Sequence, residues 1–333
     1  MTSVEIVSEE LSLAAPAPPR AGRVRLVAGL VRDPTTLVGL VMISTVTAAA
    51  LLAPVLAPHD PDAVDVVRRF AAPSAEFPLG TDHLGRDVLS RLLFGARVSI
   101  GATLFVTFWI SLIGVVLGMV AGYFGGLLDT CISRVIDVLL ALPPFLLALA
   151  VTGVLGPGLG NLILAITLVW WASYARVVRG VVIAERSKAY VEAAQAHGTS
   201  HARILWRHLL PNIAGPVVVL TTLDLGAVLL GLSGLSFLGL GVKPPTPEWG
   251  AMLSEGKTYV GPAPNMMLFP GAAIFLMVLG FNLVGDGLRD MLDPRTRRVR
   301  RGLRRMVARP QVTPSPPAGP GAPAGQPPVA ARP

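Results

Sequence analysis

Charged residues leave this chain in long gaps. No Asp, Glu, Lys or Arg falls between Pro34 and Pro58, between Val98 and Leu128, or between Val138 and Ala175. A fourth window, from Ile213 to Val242, contains the single acid Asp224, and a fifth runs from Thr258 to Gly285. About 20 apolar residues cross a bilayer as a helix, and lipid forces the helical form because no water is there to satisfy the backbone. The Val138–Ala175 window is too long for one crossing, and the turn-forming run Gly156-Pro157-Gly158-Leu159-Gly160-Asn161 divides it in two. The pattern therefore predicts an all-α polytopic membrane protein with six transmembrane helices. The first is expected over residues 36–57, followed by an outer loop over 58–97 and a five-helix core over 98–290. Residues 185–211 form the largest internal loop on the opposite side. The flanks read as tails: 1–35, and 291–333 with its basic cluster followed by a Pro/Ala/Gly-rich stretch that cannot bury a core.

Composition agrees. Mean hydropathy is +0.63 and 14% of residues are charged, against about 25% in ordinary soluble chains. Burial in lipid accounts for the deficit. The first 35 residues mix acids, prolines and arginines with no apolar h-region ahead of a cleavage site, so no signal peptide is expected. The single cysteine, Cys131, excludes an internal disulfide and a multi-cysteine metal site. A net charge of +8 would suit nucleic acid, but the cations sit in flanks and tails, so no nucleic-acid partner is expected.

Those cations also set an orientation. Lys and Arg accumulate in cytoplasmic segments. With both termini in the cytoplasm, the inner segments hold Arg20, Arg23, Arg25 and Arg32, then Arg134, Arg176 and Arg179. Arg186, Lys188, Arg203 and Arg207 follow in the large loop, and ten more run from Arg289 to Arg332. Only seven lie outside. The cluster over 295–305 suits anionic headgroups, and it suits a plain topology anchor equally.

Catalytic patterns are missing. There is no His-Glu-x-x-His and no Gly-x-Ser-x-Gly. Gly256-Lys257-Thr258 resembles the end of a phosphate loop, yet Ala251 stands where the first glycine is required. The chain is therefore expected to be no enzyme, to bind no cofactor or metal, and to rely on ATP and magnesium held by a separate chain if ATP drives it.

The internal loop reads ERSKAYVEAAQAHGTSHARILWRHLLP from Glu185 to Pro211. Residues 188–197 are strong helix formers, Gly198 supplies a stop, and Thr199 or Ser200 caps a second helix that Pro211 should end. Ala189, Ala193 and Ala196 give one face small side chains, with Glu192 beside it. Spacing alone leaves two readings, a docking elbow or a helix pair lying in the interface.

Glu192-Ala193-Ala194, Gly198 and Leu210-Pro211 together resemble the EAA loop of bacterial ABC importer permeases. His208 stands where the general pattern is aliphatic, and Arg207–Asn212 instead resembles the dipeptide/oligopeptide/nickel branch. LGTDHLGRDVLSRLLFGARVSI, GYFGGLLDT, DVLLALP, YARVVRG, LSFLGLGVKPPTPEWGAML and FNLVGDGLRDMLDPR follow in that family's order over roughly residues 30–300. The Gly-Thr-Asp-x-x-Gly-Arg-Asp block points to the second permease of a pair. The resemblance implies a type I importer permease fold in the bacterial inner membrane. Its partners would be a second permease subunit, two ABC ATPases and an extracytoplasmic substrate-binding protein. Glu192, Ala193, Ala194, Gly198, Leu210 and Pro211 would then couple the ATPase to the spans. The implied cargo is a di- or oligopeptide, with nickel or another small solute as the alternative.

Two further sites stay open. Asp82, Arg86 and Asp87 could meet the binding protein, or could pair within a turn that orients the next helix, leaving His83 an exposed bystander. In the fifth span the family usually places a Glu where this chain has Leu232. The acid instead appears at Asp224, where a mid-bilayer carboxylate costs roughly 2.5–3.5 kcal/mol and must face the bundle interior. It lines the pathway, or hydrogen-bonds Thr221 or a neighbouring subunit, or is buried in protonated form with no role. An ion-coupled secondary transporter would need an inverted repeat and several intramembrane ionisable groups, and an intramembrane enzyme would need paired catalytic residues. Neither pattern is present.

Overall fold

A computed structural model describes residues 33–292, so the tails and the basic cluster over 295–305 lie outside the described residues. Asp33 opens the first helix, α1 (Pro34–Leu51), by accepting the Thr36 N–H at 3.1 Å and its hydroxyl at 2.9 Å. Pro34 fills the first turn, where no N–H is needed. A single turn, α2 (Ala53–Leu56), leads into the outer segment.

The second long helix, α3 (Val88–Phe124), starts ten residues before the charge-free window. Asp87 caps it by accepting the Ser90 N–H at 2.9 Å. Arg91 and Arg97 are thus inside a helix, and the outer loop is shorter than the charges alone suggested. Gly125, at φ 68°, ends α3, and α4 (Gly126–Leu140) follows. After Pro143 comes α5 (Pro144–Leu155), bent by 86° from α4. Twelve residues reach only about 18 Å, short of the ~30 Å hydrocarbon core, so the third crossing is a broken pair. Next come α6 (Leu159–Arg186) and the short α7 (Ala189–Ala196). One turn, α8 (His201–Arg203), passes through a π-helical stretch, Ile204–Leu209, directly into α9 (Leu210–Phe237). Finally α10 (Trp249–Gly256) precedes α11 (Asn265–Leu292).

Pro211 therefore does not end the second arm of the loop. It lies in the first turn of α9. The Leu210 N–H reaches back five residues to the Leu205 carbonyl, and the Asn212 side chain donates to the His208 carbonyl at 2.6 Å. The widened turn absorbs the proline without breaking the helix.

Among the described residues five helices are long and apolar enough to cross a membrane, six if the bent pair counts as one crossing. Their order across the bundle follows from close approaches at glycine. A Cβ on Gly114 would lie 2.3 Å from that of Tyr174, one on Gly118 2.7 Å from the Ala175 carbonyl oxygen, and one on Gly122 2.8 Å from the Arg179 carbonyl oxygen. Positions rise together along both helices, so α3 and α6 run parallel, and α4–α5 must carry the chain back between them. Small residues every fourth position allow this approach. By the same test α1 runs antiparallel to α11, with Gly39 against Gly280 and Gly287 against Thr36, and α9 antiparallel to α11. Residue 33, residue 292 and the 187–210 elbow consequently share one face of the bundle.

Candidate functional site

A single cap builds the elbow; Ser200 stands at the start of α8 but makes no side-chain capping bond, contrary to the expectation for Thr199 or Ser200. At the end of α7 the Thr199 N–H donates to the Ala194 carbonyl at 3.1 Å and the Gly198 N–H to the Gln195 carbonyl at 2.9 Å. That is the Schellman arrangement, which needs the left-handed φ of 68° at Gly198. Beneath it lies an apolar floor. Val191, Ile204, Leu209 and Ile213 are fully buried against Met119, Tyr123, Val178 and Val182, with Tyr190 and Ala194 at its edge. Ala189, Glu192, Ala193, Ala196 and Gly198 are exposed on the opposite side. Leu210 is half-buried and Pro211 exposed where the elbow rejoins the bundle. The small-residue face expected from the sequence is thus presented outward, on a base fixed to α3, α6 and α9.

Side chains strap the elbow to the end of α3. Arg186 donates to the Tyr123 carbonyl at 2.7 Å, satisfying a helix terminus that would otherwise be orphaned. The Tyr123 hydroxyl lies 2.8 Å from His201 Nδ1 and accepts from Gln195 Nε2 at 3.4 Å. Tyr190 donates to Glu185 at 3.0 Å. Burial, followed by that carboxylate, pushes the Tyr190 phenol up to about 12. None of these partners was identified from sequence, because single aromatics in a membrane chain carry no local signature.

On the opposite face the Asp82–Arg86–Asp87 block is folded inward. Asp82, Arg86 and Asp87 are 3%, 2% and 2% exposed, so their side chains form no contact surface, and a docking protein would meet the loops around them. Arg86 donates through Nε to Asp82 at 2.6 Å and through a terminal nitrogen to Glu255 at 2.7 Å. Arg91 lies 3.2 Å from the same Glu255 carboxylate and 3.7 Å from Asp82. Asp82 also accepts the Leu84 and Arg86 backbone N–H groups, and Asp87 caps α3. Local pairing is only half the arrangement, since Glu255 on α10 closes it across 169 residues.

His83 is not an exposed bystander. It is half-buried, stacked on Tyr259 at 5.2 Å. Donor atoms of Asp82, His83 and Glu255 come within 4.8 Å of one another, but Arg86 and Arg91 already neutralise both carboxylates, and two guanidinium groups at hydrogen-bond range repel a metal cation. Beside the cluster, an open cleft of about 740 Å³ is lined by Pro54, His59, Asp62, Phe94, Arg97 and Pro247 among others.

Asp224 sits half-buried on α9 in electrostatic contact with the Tyr174 hydroxyl of α6. That hydroxyl is buried and makes no hydrogen bond of normal geometry. Thr221 donates instead to the Val217 carbonyl at 2.9 Å, so the alternative of a Thr221 hydroxyl bond to Asp224 is not formed. Leu232 is core, 4% exposed. Asn282 of α11 is exposed, with its oxygen 3.5 Å from where a Gly226 Cβ would stand. An uncharged amide escapes a search for gaps in charge.

Residues 114–298 match the family described as binding-protein-dependent transport system inner membrane component, and residues 27–73 match the N-terminal TM domain of oligopeptide transport permease C. A dipeptide transport system permease protein of Alkalihalophilus pseudofirmus is 42% identical over 80% of this chain and 88% of its own. A nickel transport system permease protein of Escherichia coli K12 is 43% identical over 77% and 92%. A glutathione transport system permease protein of Pectobacterium atrosepticum is 43% identical over 74% and 83%. With an elbow docked on its own bundle and a match over more than half its length, this chain belongs to the binding-protein-dependent inner membrane components, the non-catalytic, multi-pass permease subunits of ABC importers whose ATP is used by partner ATPases.

Proposed function

We propose that this permease pairs with a second permease subunit and imports short peptides, moved by ATPases that grip the Glu192–Gly198 elbow from the cytoplasm. The observation that carries the reading is the elbow itself: a small-residue face turned outward on a buried floor shared by α3, α6 and α9. A motor that binds there moves three spans at once, and it shifts the gate only by its differential affinity for the two states. In this reading both termini are cytoplasmic, and the Lys and Arg distribution and the common face of residue 33, residue 292 and the elbow support it. Short peptides fit the dipeptide and glutathione systems named above; nickel is the other cargo to test.

Glu192 is exposed, so Glu192→Arg tests docking without disturbing the fold. ATPase co-purification and vanadate-sensitive uptake of a labelled dipeptide should both fall at least tenfold. Retention of both would remove the elbow from the mechanism, and uptake of Ni²⁺ in place of dipeptide would reassign the cargo.

Asp82, Arg86 and Asp87 serve the binding protein indirectly, by holding rigid the loops around the 740 Å³ cleft that it would meet. Asp224 lines the pathway and receives the cationic amino terminus of the peptide. Support comes from its half-exposed position beside the buried Tyr174 hydroxyl, with which it is in electrostatic contact. Asp224→Asn should lower uptake of a free dipeptide relative to its N-acetyl analogue by about an order of magnitude, the scale of one charge-assisted hydrogen bond. An unchanged ratio would return Asp224 to a structural role.

A further inference from the structure

The elbow has a weak point and a brace. Gly198 joins its two arms in a left-handed turn that is exposed, with nothing within 4 Å of the place a Cβ would occupy. A load applied to α7 reaches α6 through Ser187 and Lys188, but it reaches the second arm along the chain only across this turn. Gln195 stands on one side of this turn and His201 on the other, and both meet the same atom, the Tyr123 hydroxyl. A hydroxyl has one proton and two lone pairs. With His201 neutral and protonated at Nε2, the Tyr123 proton goes to His201 Nδ1 and a lone pair receives the Gln195 amide. Tyr123 itself is 4% exposed and held by the apolar floor, its ring edge-on to Phe124 at 5.1 Å and to His201 at 5.6 Å. Its own carbonyl is the one Arg186 binds.

Beyond Tyr123, α3 is unbroken. Its 37 residues reach about 55 Å, and at the far end Arg91 is tied to Glu255 and Asp82. Over the last quarter of its length, next to the elbow, it is seated on α6 at Gly114, Gly118 and Gly122, where little slack remains.

We infer that Tyr123 is the positioning residue that turns the elbow and α3 into a single lever, carrying motion of the docked elbow to the ion cluster on the opposite face. The inference rests on the elbow being the docking point of the ATPases. The hydroxyl spans the hinge, so the two arms cannot open independently while both bonds hold. Without it the elbow still folds and still docks, because the floor and the Gly198 cap remain, but part of each stroke is lost in bending at Gly198.

The test uses the complete transporter, both permeases with ATPases and binding protein, in proteoliposomes, with labelled dialanine as the first probe and Ni²⁺ as the second. Tyr123→Phe removes only the oxygen. ATPase co-purification, melting temperature and basal ATP hydrolysis should stay at wild-type levels, while ATP hydrolysed per solute imported rises severalfold and up to about tenfold, the size of one lost hydrogen bond. His201→Ala should give the same rise, His201→Asn, which keeps an acceptor, should restore coupling, and the Tyr123→Phe/His201→Ala pair should be no worse than either alone. A purely structural role would lower melting temperature or assembly and leave the stoichiometry untouched. Wild-type stoichiometry in Tyr123→Phe, or loss of ATPase attachment in that variant, overturns the inference. If Glu192→Arg leaves attachment and uptake intact, the docking assignment itself has failed, which is a separate result.

Discussion

Glu255 shows how one side chain ties distant parts of this protein together. It is 18% exposed, yet it neutralises two guanidinium groups that are each 2% exposed, Arg86 at 2.7 Å and Arg91 at 3.2 Å. Asp82 supplies the second negative charge, so the four groups balance. Removing one partner of a buried pair leaves an uncompensated charge, which typically costs 3–5 kcal/mol. Glu255→Gln should therefore destabilise the purified permease by about that amount, read as a clear drop in melting temperature in detergent. The contrast is Glu76, whose partner Arg68 is itself exposed. Glu76→Gln should leave the melting temperature essentially unchanged, because a solvated pair gains little. Equal effects at the two sites would mean that the Glu255 cluster is hydrated. In the sequence Asp82, Arg86 and Asp87 were visible as a motif but Glu255 was not, since nothing local connects residues 169 positions apart. Asp224 was visible for the opposite reason: an acid in an apolar window needs no partner to be noticed.

Helices were the most legible level, and their ends the least. Gaps in charge located every long helix, because the cost of charge in hydrocarbon dominates there. The start of α3 was missed by ten residues since Arg91 and Arg97 were read as loop, whereas pairing with acids and carbonyls lets Arg91 enter the helix. The break between α4 and α5 was missed because apolarity is unbroken across Pro143-Pro144, and only the backbone records the bend. Pro211 was misread because a π-helical turn can absorb a proline that an α-helix cannot. The Gly114, Gly118, Gly122 repeat was legible but unused, and it sets the packing of α3 on α6. Gly118→Ala should be destabilising by about 1–3 kcal/mol, the usual size of overpacking, as its Cβ would lie 2.7 Å from a backbone oxygen. Gly101, on the same helix, has nothing within 4 Å, so Gly101→Ala should be neutral or stabilising, since alanine is the better helix former. Melting both variants in detergent checks the claim; similar behaviour would show that α3 and α6 are not in contact at Gly118.

Across the whole molecule, sidedness is one bit of information shared by every element. The parallel pair α3 and α6, with α11 antiparallel to both α1 and α9, locks the elbow, residue 33 and residue 292 to one face whatever the membrane does. Measuring the location of any residue near that face therefore assigns all of them. Cys131 offers the measurement without engineering, being the only cysteine in the sequence, exposed, and placed on α4 seven residues beyond the elbow end of α3. In the function proposed above that face is cytoplasmic, the side favoured by the excess of Lys and Arg in the elbow and flanking segments. A membrane-impermeant maleimide should accordingly label the protein in inside-out vesicles and fail to label it in right-side-out vesicles until detergent is added, with Cys131→Ser silent throughout. The reverse pattern would put the Glu192–Gly198 elbow outside, beyond the reach of any ATP-driven partner, and would invert the molecule as a unit, because none of the long helices α1, α3, α6, α9 and α11 can be turned over alone without breaking the glycine contacts between them.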